Sequence, residues 1–320
     1  MRLFEHTDFE QAILQAAEHF RARGLRPAII EKDYYVTEAL RAIAGVAGEK
    51  IIFKGGTSLS KGWNLIERFS EDIDIFLDPD AFTPPLGKNG IDRELKKLRD
   101  AVKRHPAFTF LPEASKTIGG FGRNDVFTYD QRFGGPGEVP NRILLEAGAA
   151  SGREPTEEVQ IRSYLAEFLK RTNHTLGTED EQSFPMRLLH FRRTFVEKMF
   201  TIHAKVEIFN REGRPIGTYA RHYYDLFQLA GQPQVRAMLE SDEYANIKAD
   251  YDRVSKEHFE RDYLPPDGMS FARSDALFPT GDLLAVIRND YEAQCQVLCF
   301  GPSPSWDDVQ ARFAELQSLL

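Results

Sequence analysis

Residues 8–23 and 31–46 carry apolar side chains at helical spacing and predict two amphipathic helices. The stretch 25–30 links them, and Pro27 marks the break. The period then changes. IIFK at 51–54 is short, β-branched and apolar, which predicts a buried strand. Gly55 and Gly56 end it, and Thr57 can cap a helix reaching to about residue 67. SEDIDIFL at 70–77 alternates acidic and apolar residues, the period of a second strand. A charged helix is expected at 91–104. Residues 108–148 read as a β meander with strands at 108–111, 125–131 and 142–147 and a turn-rich connector, FGGPGEVPN, at 133–141. Beyond about residue 175 the pattern is nearly all helical. Leu188, Phe191, Phe195, Met199 and Ile202 recur at spacings of three and four, giving one apolar stripe over 187–205. Further helices are expected at 217–231, 233–259, 280–298 and 304–320.

This order of elements predicts an α+β protein. A domain with a mixed β-sheet spans 1–175, a mostly helical one spans 176–320, and the hydrophilic stretch 172–182 links them. The 320 residues suffice for two domains, and 42% hydrophobic residues suffice for packed cores. No apolar run approaches the roughly 20 residues that would span a bilayer, so no membrane association is expected. The N-terminal MRLFEHTDFEQ has neither the basic head nor the apolar run of a secretory signal. The two cysteines, Cys295 and Cys299, fall four apart on one helix face and read as small buried hydrophobes in a reducing compartment. Together these features point to a cytoplasmic protein. The net charge of −8 argues against broad coating of nucleic acid. A local basic groove could still form from 93–104 or 187–198, although charge-rich helices are usually solvated faces.

The chemistry concentrates in FKGGTSLSKGWNLIERFSEDIDIFL at 53–77. Asp72 and Asp74 lie two apart on a strand, so both carboxylates leave one face while Ile73 and Ile75 enter the core. Two carboxylates this close repel unless a cation lies between them. Magnesium, which favours a few carboxylates with phosphates and waters, suits such a pair. Surface strands often produce Asp-x-Asp, so the pair alone says little. The block before it says more. Adjacent glycines between a strand and a helix let backbone approach a ligand, and a helix start offers free N–H groups and a positive dipole end. Gly55, Gly56, Thr57 and Ser58, with Lys61 one turn on, therefore form a candidate cradle for a nucleoside triphosphate (NTP).

The sequence of strand, Gly-Gly, helix and Asp-x-Asp strand resembles the DNA-polymerase-β-like nucleotidyltransferases. GGTSL with RFSEDIDI more closely resembles the AbiEii/AbiGii nucleotidyltransferase toxins. IEKDYYVTEAL at 30–40, RTFVEKMFTIH at 193–203 and RHYYDLFQLA at 221–230 are similar to other segments of that family. The resemblance implies a bilobed fold, NTP as substrate, two Mg2+ ions, an antitoxin partner and a nucleotide acceptor, with the 3′ end of tRNA as the leading expectation. It implies a third acid on a later strand, for which Glu146 in NRILLEAG is the best candidate for holding metal or taking a proton. It also implies that Lys198 binds phosphate and that Asp225 orients Lys198 or the sugar, so the helical domain is expected to contribute to the active-site cleft. On residue type alone, Lys198 is a solvated helix lysine and Asp225 pairs with Arg221 on the surface. Arg192 and Arg193 are further candidates for phosphate or RNA. The expected activity is transfer of a nucleotide to RNA with release of pyrophosphate. The alternatives are transfer to a small molecule or a protein side chain, and a scaffold that binds a nucleotide or a partner without catalysis.

Overall fold

A computed structural model describes residues 1–70, 72–135 and 139–320. The chain forms two compact units. One comprises Met1–Asn64 and Phe69–Leu189, the other Leu65–Arg68 and His190–Leu320.

In the first unit, strands β1 (Ile51–Lys54), β2 (Asp72–Leu77), β3 (Thr109–Ile118), β4 (Gly122–Thr128), β5 (Arg142–Gly148), β6 (Thr156–Ile161) and β7 (Phe184–Leu189) form one mixed sheet. Its order is β3-β4-β5-β2-β1-β7-β6. The two central contacts set the geometry that matters: β1 pairs with β2 antiparallel, and β2 pairs with β5 parallel. Ile73 and Ile75 of β2 and Ile143, Leu145 and Ala147 of β5 are buried, as alternation along each strand requires. Helix α1 (Phe9–His19) leads into α2 (Pro27–Ala47), which packs against α1, α4 (Lys88–Arg104) and α5 (Tyr164–Arg171). The short α3 (Gly55–Lys61) joins β1 to β2. Leu95, Leu98, Ala101 and Val102 form the buried stripe of α4, which packs on β4 and β5.

The second unit is helical: α6 (Phe191–Glu212), α7 (Arg221–Ala230), α8 (Pro233–Leu239), α9 (Asp242–His258), α10 (Gly281–Leu298) and α11 (Trp306–Leu316). Helix α7 packs against α6, α8, α10 and α11. Arg68 forms an antiparallel bridge with Cys299, and Phe300 N–H donates to the Glu67 carbonyl at 3.1 Å. These contacts anchor the four residues 65–68 in this unit. No described helix is long and apolar enough to cross a membrane.

Several expectations need correction. Pro27 is not in a linker but opens α2, where its missing N–H costs nothing. Thr57 does not cap α3; Lys54 precedes the helix, which ends at Lys61 rather than near 67. The helix expected at 233–259 is two helices, the second capped by Ser241, whose hydroxyl accepts from Glu243 N–H. Strands β6 and β7 were not expected. The sequence TEEVQI of β6 has little apolar patterning because it is an edge strand, and Leu188 of β7 fell on the helical stripe that follows it. Since β7 pairs with β1 and β6, the first unit closes at Leu189 rather than near residue 175. Cys299 is the C-cap of α10, just beyond the helix that carries the buried Cys295, and both thiols are free. Glu71 and part of the connector at 133–141 lie outside the described residues.

Candidate active site

The acids occupy one row of the sheet. Asp74 is the direct partner of Glu146 across the parallel β2–β5 pair, and Asp72 is the partner of Leu144. Paired residues on neighbouring strands point the same way, with strands about 4.8 Å apart. Asp72, Asp74 and Glu146 therefore share a face, and all three are half-buried. The row continues on both sides. Lys54 is the partner of Asp74, Asn124 of Glu146, and Lys116 of Asn124. Asn124 Nδ2 donates to Glu146 Oε1 at 2.5 Å, and Lys54 Nζ donates to Ser151 Oγ at 2.7 Å. Three carboxylates of this kind on adjoining strands supply the oxygen donors that Mg2+ favours. Among the described residues, however, no three His, Cys, Asp or Glu side chains are already gathered as a metal cluster. Glu146, for one, is turned to Asn124.

The Gly-Gly turn lies directly against this row. Gly55 has φ +77°, and a Cβ there would stand 1.9 Å from Asp74 Oδ2. Only glycine combines that backbone angle with that contact. The other cradle residues are more occupied than their sequence suggested. Thr57 and Ser58 are buried. Thr57 Oγ1 donates to the Asp72 carbonyl at 2.5 Å, which ties α3 to the start of β2, and Ser58 Oγ donates to the Gly55 carbonyl at 2.9 Å. Lys61 Nζ pairs with Asp33 Oδ1 at 2.5 Å, with both side chains under a tenth exposed, and also donates to the Arg162 carbonyl. A phosphate would have to displace Asp33 to reach it.

In the second unit, Asp225 is fully buried and holds two cations. Arg68 Nε and Nη2 donate to its two oxygens at 2.6 and 2.7 Å. Lys198 Nζ lies 2.8 Å from Oδ2 and 3.1 Å from His222 Nδ1. Burial works to raise the Asp225 carboxyl, but the charges of Arg68 and Lys198 outweigh it and hold the group well below the usual carboxylate range. Burial pulls the Lys198 ammonium down despite Asp225. Burial, and then Lys198, push His222 down to about 3, so the ring is neutral. Two cations, Arg68 and Lys198, thus face one carboxylate.

The sequence profile described as nucleotidyl transferase AbiEii toxin, type IV TA system, matches residues 38–312. The chain belongs to the AbiEii nucleotidyltransferase toxin family. This AbiEii-family protein is accordingly a nucleotidyltransferase, the toxin of a type IV toxin–antitoxin system, with an antitoxin as its counterpart. Its fold is similar to that of MenT4, the nucleotidyltransferase toxin Rv2826c from Mycobacterium tuberculosis H37Rv. The TM-score is 0.56 at 18% identity, over 96% of this chain and 88% of that one. An H. pylori chain assigned as a nucleotidyltransferase gives a TM-score of 0.37 at 15% identity, over 87% of this chain and 95% of that one, too low to argue from. No curated protein matches.

Several placements in this AbiEii-family chain bear on the sequence reading. Arg193 is 2% exposed and paired with Glu197 and Asp250, and Arg192 pairs with Glu243, so internal ion pairs engage both. Lys96, Lys97 and Arg99 of α4 pair with Asp92, Glu94 and Asp100 on their own helix, which favours the solvated-face reading. The partner that sequence reasoning missed is Arg68, 157 positions from Asp225. Its one signal was its place just before SEDID.

Proposed function

We propose that Asp72, Asp74 and Glu146 are the metal carboxylates of a Mg2+-dependent transfer of nucleotides from NTP to an RNA hydroxyl, with the 3′ end of tRNA as acceptor. The observation that carries this reading is the register that sets Glu146 beside Asp74, on the same face as Asp72, with Asp74 against the backbone of Gly55. When bound, two Mg2+ ions held by Asp72, Asp74 and Glu146 would neutralise phosphate charge and lower the pKa of the acceptor hydroxyl.

The chain's own residues would do the following. The Gly55–Gly56 backbone lets the triphosphate approach Asp74 without a side chain between them. Glu146 accepts the proton of the acceptor hydroxyl. The acceptor oxygen bonds to the α-phosphorus, the bond from that phosphorus to the β-phosphate bridge breaks, and pyrophosphate leaves. Lys198 stabilises the charge on the departing phosphates, a role suited to an ammonium held in place by the Asp225 carboxylate. Asp225 orients Lys198 rather than touching the nucleotide, since both its oxygens are engaged.

The test is incubation with each labelled NTP and Mg2+, with total RNA and with protein alone. Labelled tRNA that disappears with a chelator is the expected result. Label on protein alone would replace the RNA acceptor with a side chain. No label under any condition would overturn the catalytic reading of the acids.

A further inference from the structure

We infer that Lys32 is a positioning residue that fixes the leading ends of both acid-bearing strands, and so the placement of Asp74 beside Glu146. The inference rests on the proposed role of those acids. A lysine with no exposed surface is rare unless its ammonium is fully engaged, and Lys32 is 0% exposed. Its Nζ donates to the Pro140 carbonyl at 2.7 Å and to the Arg142 carbonyl. It also sits over the Phe69 ring, 5.6 Å from the centroid. These contacts fall at two particular places. Arg142 opens β5, four residues before Glu146, and Phe69 lies three residues before Asp72, which opens β2. The two strands run parallel and are paired from Asp72–Leu144 onward, so their leading ends are neighbours, and one ammonium touches both.

The register is what this contact protects. A slip of β5 by one residue would bring Leu145 or Ala147 beside Asp74 and turn Glu146 to the opposite face. The flanking residues on α2 act on adjacent chain. Glu31 accepts from the N–H groups of Arg132 and Phe133, and Asp33 takes Lys61 and the N–H of Tyr164. Glu31-Lys32-Asp33 is therefore a run of inward charges, each holding a different segment of the sheet unit.

The test is Lys32→Met, which keeps the aliphatic stem and removes the ammonium. Mn2+ binding would be followed by electron paramagnetic resonance, hydrogen exchange by mass spectrometry, and folding by thermal melting. The expected result is a cooperatively folded protein that binds Mn2+ about 10–100-fold more weakly, the usual cost of losing a group that orients metal ligands. Exchange should quicken at 142–146 more than elsewhere in the sheet. A variant that loses thermal stability but keeps wild-type Mn2+ binding and β5 exchange would overturn the inference. If Lys32→Met does not fold, Phe69→Leu leaves both carbonyl bonds and removes only the ring. It should weaken Mn2+ binding to a smaller extent, and unchanged binding and exchange would overturn the two-strand role. Wild-type protein and Asp74→Asn serve as controls for the underlying reading. If wild type fails to bind Mn2+, or Asp74→Asn binds it normally, the acids are not metal ligands. The exchange pattern still decides whether Lys32 holds β5.

Discussion

A Cβ on Gly55 would lie 1.9 Å from Asp74 Oδ2. The Gly-Gly turn and the Asp-x-Asp strand are therefore one packed unit, and the carboxylate has no room to withdraw toward α3. Gly55→Ala should displace Asp74 and also place a side chain at φ +77°, a strain of about 1–2 kcal/mol. We predict a small loss of stability in urea titrations and a much larger loss of transfer activity. Normal turnover in Gly55→Ala would show that Asp74 does not need its present position.

Asp72→Asn and Asp74→Asn should each abolish transfer while the circular dichroism spectrum and unfolding midpoint stay near wild type. Both side chains lie on the half-buried face, opposite the core residues Ile73 and Ile75, so amide substitution changes charge and little packing. Unfolding of either variant would make the pair structural, and retained turnover would remove it from the chemistry.

Lys198 and Asp225 should behave as a unit. Lys198→Ala leaves Asp225 bonded to Arg68, so the fold should persist while kcat falls about 10²–10³-fold. Asp225→Ala leaves two buried cations without their carboxylate and should cost about 3–5 kcal/mol of stability. The activity losses should not add in the double mutant. Steady-state kinetics with paired urea titrations checks this; near-wild-type turnover in Lys198→Ala would confine catalysis to the acids of the sheet.

Acid should weaken the helical unit early, through His222. Its folded pKa of about 3 lies below the ordinary value of 6.5, so between these limits the unfolded chain binds a proton that the folded chain does not. Stability then rises with pH across that window and falls on acidification, by up to about 1.4 kcal/mol per pH unit. His190, lowered to about 4 by burial and then Arg192, adds the same sign over a narrower range. Urea midpoints measured from pH 7 to 4 should decline, and His222→Gln should flatten the decline. An identical slope in that variant would show that the His222 ring takes up its proton alike in the folded and unfolded chain.

The sequence by itself determined what depends on neighbours along the chain. Alternation over 72–77 set β2 and put Asp72 and Asp74 on one face, because strand period is a local property. Apolar runs and Gly-Gly set β1 and the turn, and the family motifs singled out Glu146, Lys198 and Asp225. Tertiary structure decided how distant segments share partners. Register made Glu146 the neighbour of Asp74, and no local pattern specifies which residues of two strands align. Burial turned Lys61 toward Asp33 and gave Asp225 to Arg68 as well as Lys198. It also drew Glu31, Lys32 and Asp33 of α2 inward, where an amphipathic pattern would have left charges in water. A buried charge must find a counter-charge or a polar backbone group, wherever in the chain that group lies. That requirement acts across the folded interior, so the partners became visible only there.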